Sequence, residues 1–206
     1  GLSTERDVSL NTGTMVSKAL RSKGHNVIML DVFMGYHEEE EDITDIFNHT
    51  EEASADVAQI PGEAPDIAQV KAMRKDQSAC FFGPNVIKIC QAADIVFMAL
   101  HGENGENGKI QAAFDLFGIQ YTGSRYLGSA LAMDKGISKK MFEAAGIPTP
   151  HGIAMSKTQR HTPFSETGLT LPCVVKPCCG GSSIGVTIVR TADEYEAALD
   201  EAFKYE

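Results

Sequence analysis

Short apolar runs alternate with amphipathic segments along the first 125 residues of the chain. Residues 27–31 and 94–100 are apolar runs of strand length, and residues 109–117 have the 3.6-residue spacing of a helix. An earlier helical segment ends near Gly24, a residue type favoured just past a helix terminus. A helix that feeds a buried strand is typical of a βαβ unit. The pattern therefore predicts a parallel sheet with helices, in which residues 94–100 form a buried strand and 119–122 a short one.

The same pattern predicts one more buried strand immediately before Gly1, in a native chain that begins a few residues upstream. Residues 86–90 are apolar on one face and predict a helix. Residues 35–80 are the least informative, and the acidic run at 38–42 predicts a solvated face or loop.

The second half of the chain has a different pattern. Residues 129–135 and 138–145 predict helices, which Pro148 and Pro150 bring to an end because proline cannot continue a helix. Two β-branched runs, 173–176 and 185–189, predict a hairpin of two strands joined by a flexible tip. Residues 193–203 predict an amphipathic helix after the hairpin.

The tip of this hairpin carries groups that suit a phosphate. Gly180 and Gly181 leave backbone N–H groups unobstructed, Ser182 and Ser183 add hydroxyl donors, and Lys176 ends the incoming strand. Polyphosphate oxygens accept several hydrogen bonds at once, so the stretch is a candidate phosphate-binding loop. It is not a Walker A loop, because a strand follows it rather than a helix. The alternative is an ordinary hairpin with glycines for turn geometry.

A second candidate loop, residues 101–108, is polar and contains three glycines. It follows the apolar run at 94–100, and open α/β sheets place ligands at the carboxyl ends of parallel strands. His101 and Glu106 are therefore candidate site residues. The alternative is that the glycines only shape a loop.

Composition narrows the class of protein. The 206 residues are 43% hydrophobic and 22% charged, as in a soluble globular protein. No apolar run reaches the roughly 18–20 residues of a membrane span. The net charge of −10 argues against a nucleic-acid-binding surface. The five cysteines lack the spacing of a zinc site, so reduced cytoplasmic thiols are predicted.

Seven stretches, taken in order, resemble the motifs of the D-alanine–D-alanine ligase family of the ATP-grasp superfamily. They are STERDVSL from Ser3, HGENGENGKIQ from His101, YTGS from Tyr121, SALAMDK from Ser129, GIPTP from Gly146, and VKP with GSSIGV from Val175 and Gly181. The resemblance implies a Rossmann-like N-terminal α/β domain with a parallel sheet, residues 1–122. It implies that the first half of an ATP-grasp α+β module follows, residues 123–206.

The resemblance also implies an activity. ATP would phosphorylate the carboxylate of one D-alanine, and the amine of a second D-alanine would attack the acyl phosphate, for peptidoglycan precursor synthesis. The implied cofactors are ATP and magnesium, with the magnesium ligands beyond Glu206, so that residues 1–206 alone would be inactive. The implied protein is a cytoplasmic homodimer that has neither nucleic acid nor membrane as a partner.

By this resemblance Glu5 and Ser182 are the catalytic residues. Glu5 would pair with the ammonium of the first D-alanine, and Ser182 would link the glycine loop to that glutamate. His101 and Glu106 would line the substrate side. The residues implied to bind ATP are Lys135, Lys176, Gly181, Ser182, Ser183 and Gly185, and no metal ligand is predicted within the chain.

The chain departs from the family pattern in two places. Asn107 stands where the family usually has aspartate, and Cys178, Cys179 and Gly180 replace a more polar approach to the serine loop. The two thiols are predicted to make the loop sensitive to oxidation. Two alternatives to the main interpretation stay open: a related ligase with D-lactate or D-serine as second substrate, and a truncated, non-catalytic nucleotide-binding module.

Overall fold

The computed structural model describes residues 1–36, 43, 45–48, 65–181 and 183–205. The chain divides into two compact units, Gly1–Ser129 and Ala130–Glu206, and the fold is mixed α/β. The helices are α1 (Arg6–Arg21), α2 (Ile67–Met73), α3 (Val86–Ala92), α4 (Glu103–Glu106), α5 (Lys109–Phe117), α6 (Tyr126–Met133), α7 (Lys135–Ala144) and α8 (Tyr195–Ala202). The strands are β1 (Cys173–Val175) and β2 (Thr187–Val189), and 3-10 turns lie at Ile46–Asn48, Lys157–Gln159, Phe164–Glu166 and Ala192–Glu194.

The core of the first unit gathers on α3 and α5. Val86 and Phe114 are fully buried, and the rings of Phe82 and Phe114 stack with their centroids 6.1 Å apart. Ile110 and Phe114 lie four residues apart on α5, so one face of the helix supplies both. The helix ends at Gly118, whose φ of +68° suits glycine, and the predicted bounds 109–117 are confirmed.

α1 buries a polar face rather than an apolar one. Its buried residues are Arg6, Ser9, Asn11, Thr14 and Ser17. Short hydroxyls can bond the carbonyl of the preceding turn, and Ser9 Oγ donates to Glu5 O at 3.0 Å while Thr14 Oγ1 donates to Leu10 O at 2.9 Å. The apolar residue Met15 of this helix is 52% exposed.

The prediction of a buried strand at residues 94–100 is wrong. Ile95 and Phe97 are 57% and 49% exposed, whereas Val96 and Met98 pack against the core. This alternation means that the core covers only one face of the segment. A continuous apolar run does not by itself reveal which of its faces is covered.

The parallel sheet predicted for this unit is reduced, within the described residues, to a single parallel bridge between Val96 and Tyr121. The Val96 amide donates to Gln120 O at 2.8 Å, and the Thr122 amide donates to Val96 O at 3.0 Å. Residues 27–31 were also predicted as a strand, but in the part of the chain that the structure describes they make only an antiparallel bridge, from Asp31 to Gly35. Residues 38–42 lie outside the described ranges.

The second unit confirms the predicted hairpin. β1 and β2 pair antiparallel, with Cys173 opposite Val189 and Val175 opposite Thr187. α8 packs on the hairpin through Tyr195 and Leu199, and Val189 is fully buried beneath them. The hairpin is therefore anchored at its base, which leaves its connecting segment to approach α7.

A search of the described helices for one with the length and apolarity of a membrane span found no candidate.

Candidate functional site

The start of α1 and the loop that begins at His101 meet in the first unit. Gly102 lies at the contact: a Cβ built on it would be 2.8 Å from Ser3 Oγ and 3.0 Å from Glu5 Oε2. Its φ of +79° is also one that side-chain-bearing residues rarely adopt. The glycine thus permits the close approach that brings two of the predicted substrate residues, Glu5 and His101, together.

Two serine hydroxyls join the backbones of Glu5 and His101. Ser3 Oγ accepts the Glu5 amide at 3.2 Å and donates to the His101 carbonyl at 2.8 Å. Ser9 Oγ donates to the Glu5 carbonyl at 3.0 Å and accepts the His101 amide at 2.9 Å. Both serines are buried, so these bonds are shielded from water.

The His101 ring and the Glu106 carboxylate are held by different partners. His101 Nε2 lies 2.9 Å from Thr12 Oγ1, so the second turn of α1 orients the imidazole. Glu106 Oε2 accepts the Gly102 amide at 2.8 Å across the one-turn helix α4. Glu106 therefore stabilises the conformation of the loop that carries His101.

The Glu5 carboxylate lies beside Gly102. Its Oε2 atom is buried and accepts no hydrogen bond within the described residues. A buried carboxylate oxygen without a donor is costly, so the arrangement suits a ligand that brings a cationic donor.

The guanidinium next to Glu5 in sequence is engaged elsewhere. Arg6 donates to Gly1 O at 2.9 Å and forms an ion pair with Asp31. Burial raises the pKa of Asp31, but the hydrogen bond from Arg6, the neighbouring positive charges and the hydrogen bond from the Phe33 amide together outweigh burial and hold that pKa below its usual value. Arg6 is thus neutralised by Asp31, which leaves the Glu5 carboxylate for a ligand.

In the second unit, Cys178 joins the start of α7 to the glycine loop. Asp134 Oδ1 caps α7 by accepting the Ile137 amide at 2.9 Å, and it also accepts the Cys178 thiol at 3.1 Å. The Gly136 amide donates to Cys178 Sγ at 3.2 Å. The Ile137 amide first, and then the thiol, hold the pKa of Asp134 below its usual value.

The two predicted phosphate lysines differ in their surroundings. Lys135 Nζ donates to Cys178 O at 3.1 Å and to Gly180 O at 2.8 Å, so two of the ammonium's three donors hold the approach to the glycine loop. The exposed Lys176 makes no hydrogen bond or ion pair that the described part of the chain supplies. Lys135 is thus close to the glycine loop in space, and Lys176 is close to it in sequence.

The loop itself is described on either side of Ser182, which lies outside the described residues together with its predicted link to Glu5. Gly181 and Ser183 flank that position, and residues 183–185 form a turn. Gly185 has a φ of +68°, and a Cβ built on it would lie 2.8 Å from Tyr205 Cδ2. The exit from the loop therefore requires glycine for both conformation and space.

Among the described residues, no group of three or more His, Cys, Asp or Glu side chains is arranged to hold a metal ion.

The sequence did not predict the contacts of four residues at the two sites, which are Ser3, Ser9, Thr12 and Asp134. Small hydroxyls do not stand out in a hydrophobic pattern. A signal for Asp134 was present, since aspartate is a favoured residue immediately before a helix.

Comparisons with known proteins decide the family. The family model described as D-ala D-ala ligase N-terminus matches residues 1–124, and the one described as D-ala D-ala ligase C-terminus matches residues 141–206. The chain belongs to the D-alanine–D-alanine ligase family. The membership predicted from the motifs is confirmed.

Individual members of this family are similar over the whole chain. D-alanine–D-alanine ligase from Lacticaseibacillus casei is 39% identical over 209 residues, which cover 100% of this chain and 57% of the relative. The chain thus spans little more than half the length of that relative.

Two solved ligase structures share the fold over part of their length. D-alanine–D-alanine ligase from Bacillus anthracis complexed with ATP has a TM-score of 0.53 and 36% identity, over 59% of this chain and 41% of that one. VanG D-Ala:D-Ser ligase from Enterococcus faecalis has a TM-score of 0.52 and 39% identity, over 55% of this chain and 34% of that one.

Proposed function

We propose that the full-length protein is an ATP-dependent ligase that joins two D-alanines through an acyl phosphate. The observation that carries this proposal is the buried Glu5 Oε2, which no described donor reaches, in a chain of the D-alanine–D-alanine ligase family. The ammonium of an amino acid supplies the missing donor and the missing charge.

The residues of the first unit hold the amino acid. Glu5 accepts the ammonium, and His101, fixed through its backbone and its ring, lines the substrate side. With the ammonium fixed, the substrate carboxylate is oriented for phosphorylation, and the mirror-image amino acid would present its methyl group in a different place. Orientation of this kind lowers the entropic part of the barrier.

The residues of the second unit hold the nucleotide. We assign the phosphate contacts to Lys135 and Lys176 and the closing loop to Gly181, Ser182, Ser183 and Gly185. The Bacillus anthracis relative was solved in complex with ATP, which supports ATP as the nucleotide. Magnesium, when bound, would neutralise charge on the phosphates. Because the described residues contain no metal-binding group, no step is assigned to it.

At the level of domains, we propose a Rossmann-like substrate domain, residues 1–122, and the first half of an ATP-grasp module, residues 123–206. Support comes from the two family models, which leave residues 125–140 between them. The relative from Lacticaseibacillus casei is matched over only 57% of its length, so residues 1–206 alone are not expected to complete the reaction.

We also propose that the protein works as a cytoplasmic homodimer, assembled through its first unit. Large apolar side chains on this unit face solvent, and Leu116 is 88% exposed. The five cysteines, all within the described residues and none in a disulfide, suit a reducing compartment. Sedimentation of the full-length protein measures its oligomeric state, and a monomer at all concentrations would contradict the dimer.

A second candidate function differs only in the second substrate. The similarity to VanG D-Ala:D-Ser ligase favours testing D-serine, and D-lactate, in place of the second D-alanine. Mass spectrometry of the product formed in an equimolar mixture of D-alanine, D-serine and D-lactate identifies the preferred second substrate.

Phosphate release tests the main proposal. We expect the full-length protein to release phosphate from ATP with D-alanine and to stay at background with L-alanine, because Glu5 and His101 fix the orientation of the substrate. Equal rates with the two enantiomers would contradict the proposed substrate. Nucleotide binding without any turnover would instead favour a non-catalytic module.

A further inference from the structure

We propose that Ser3 and Ser9 are positioning residues that hold Glu5 and His101 in register for the amino acid substrate. This inference rests on the proposed function and adds two residues to which the motifs gave no role.

The two hydroxyls satisfy four backbone groups in a reciprocal way. Ser3 accepts from the Glu5 amide and donates to the His101 carbonyl, whereas Ser9 donates to the Glu5 carbonyl and accepts from the His101 amide. Each hydroxyl gives its single proton and receives one, so the direction of all four bonds is fixed. Glu5 and His101 are 96 residues apart in the chain, and each serine hydroxyl bridges their main chains.

The positions of Ser3 and Ser9 in the sequence explain how two serines reach both the amide and the carbonyl of Glu5. Ser9 lies four residues after Glu5, where a helical side chain reaches the carbonyl of the preceding turn. Ser3 lies two residues before Glu5 and reaches its amide from the other side. The two hydroxyls therefore bind both backbone polar groups of Glu5.

The two serine hydroxyls and the backbone groups that they bind have little room to move. Gly102 follows His101, and a Cβ built there would be 2.8 Å from Ser3 Oγ, so the loop already lies against the serine. Ser3 and Ser9 are each only 7% exposed, and water has little access to replace a lost hydroxyl. Removal of the Ser3 hydroxyl leaves the Glu5 amide and the His101 carbonyl unpaired. Removal of the Ser9 hydroxyl leaves the His101 amide unpaired, whereas the Glu5 carbonyl keeps its bond from the Ser9 amide at 3.0 Å.

Other buried hydroxyls of α1 do not make this connection. Thr14 is as buried as Ser9, but its hydroxyl contacts Leu10 O and Met29 Sδ. Ser17 is 8% exposed and is placed two turns further along the helix from Ser9. Ser17 therefore supplies a matched control, in which the same atom is removed from the same helix away from the site.

The test measures steady-state kinetics of the full-length protein with Ser3→Ala, Ser9→Ala and Ser17→Ala. We expect each of the first two to raise the KM for D-alanine about threefold to tenfold, the worth of one ordinary hydrogen bond. The KM for ATP should stay unchanged. Ser17→Ala should leave both KM values unchanged even where it lowers the melting temperature as much as Ser9→Ala does.

A double-substitution cycle separates positioning from general loosening. If Ser9 acts by placing the Glu5 carboxylate, Ser9→Ala should raise the D-alanine KM less in a Glu5→Gln background than in the wild type. Equal effects in both backgrounds would overturn the inference, and so would an unchanged D-alanine KM in Ser3→Ala and Ser9→Ala. An equal rise in Ser17→Ala would do the same.

The outcomes also distinguish this inference from the proposed function. A wild type without D-alanine turnover refutes the proposed function, and the inference with it. An active wild type with kinetically normal serine variants refutes the inference alone. If Ser9→Ala does not fold, the kinetics of Ser3→Ala test the inference instead. Ser3 lies before α1, so its replacement does not alter the helix itself.

Discussion

Replacing Glu5 by glutamine is expected to raise the KM of the full-length protein for D-alanine by about tenfold to a hundredfold. Glutamine keeps the size of the side chain but removes its charge. The substrate ammonium then loses a charge-assisted hydrogen bond, worth roughly 1.5–3 kcal/mol. The Oε2 atom concerned is buried, so water cannot make up the loss.

The KM for ATP should change much less than the KM for D-alanine, because the proposed phosphate contacts belong to Lys135, Lys176 and the glycine loop. Phosphate release at varied D-alanine and at varied ATP separates the two constants. A loss confined to ATP affinity would show that the role assigned to Glu5, binding of D-alanine, is wrong.

Glu103→Gln provides the matched control for this substitution. Glu103 is exposed, and its carboxylate pairs with the exposed Lys109 at 3.3 Å. Exposed pairs of this kind contribute little to stability, so the same chemical change should leave both constants unaltered.

Local elements were predictable because their signals are local. The bounds of α5 follow from apolar residues at helical spacing and from Gly118, and the hairpin follows from two β-branched runs around glycines. These patterns report on neighbours a few residues away, which is the range over which helix ends and tight connections are determined.

Pairing between distant segments was not predictable in the same way. The run at 94–100 looks fully buried because it is continuously apolar, yet Ile95 and Phe97 face solvent. Hydrophobicity shows that a segment can be covered, whereas burial depends on which elements reach it through the fold. For the same reason, the single bridge between Val96 and Tyr121 could not be read from either segment alone.

The residues of the candidate site were likewise predictable only in part. The motifs pointed to Glu5 and His101, and the structure places them together at Gly102. The serines that join them carry no strong pattern, because small hydroxyls occur in helices, turns and loops alike. Their role depends on a contact between residues 9 and 101, and only the folded chain reveals it.

A second large effect is expected from Gly105→Ala. Gly105 is buried in α4, and a Cβ built on it would lie 2.3 Å from Leu100 Cβ and 3.0 Å from the Leu100 carbonyl carbon and oxygen. Two of these atoms are backbone, so a side-chain rotation cannot relieve the overlap. Overpacking typically costs about 1–3 kcal/mol, and we expect the upper end of that range.

Thermal unfolding of the full-length protein measures this cost, with Gly128→Ala as the control. Gly128 is exposed within α6 and has no atom within 4 Å of an added Cβ, so alanine should stabilise the helix there by roughly 0.5–1 kcal/mol. A Gly105→Ala variant as stable as the wild type would show that α4 can move away from Leu100. Glu106 holds the Gly102 amide across this same turn, so the overlap expected in Gly105→Ala would also disturb His101. The D-alanine KM should therefore rise together with the fall in melting temperature, whereas Gly128→Ala should leave that KM unchanged.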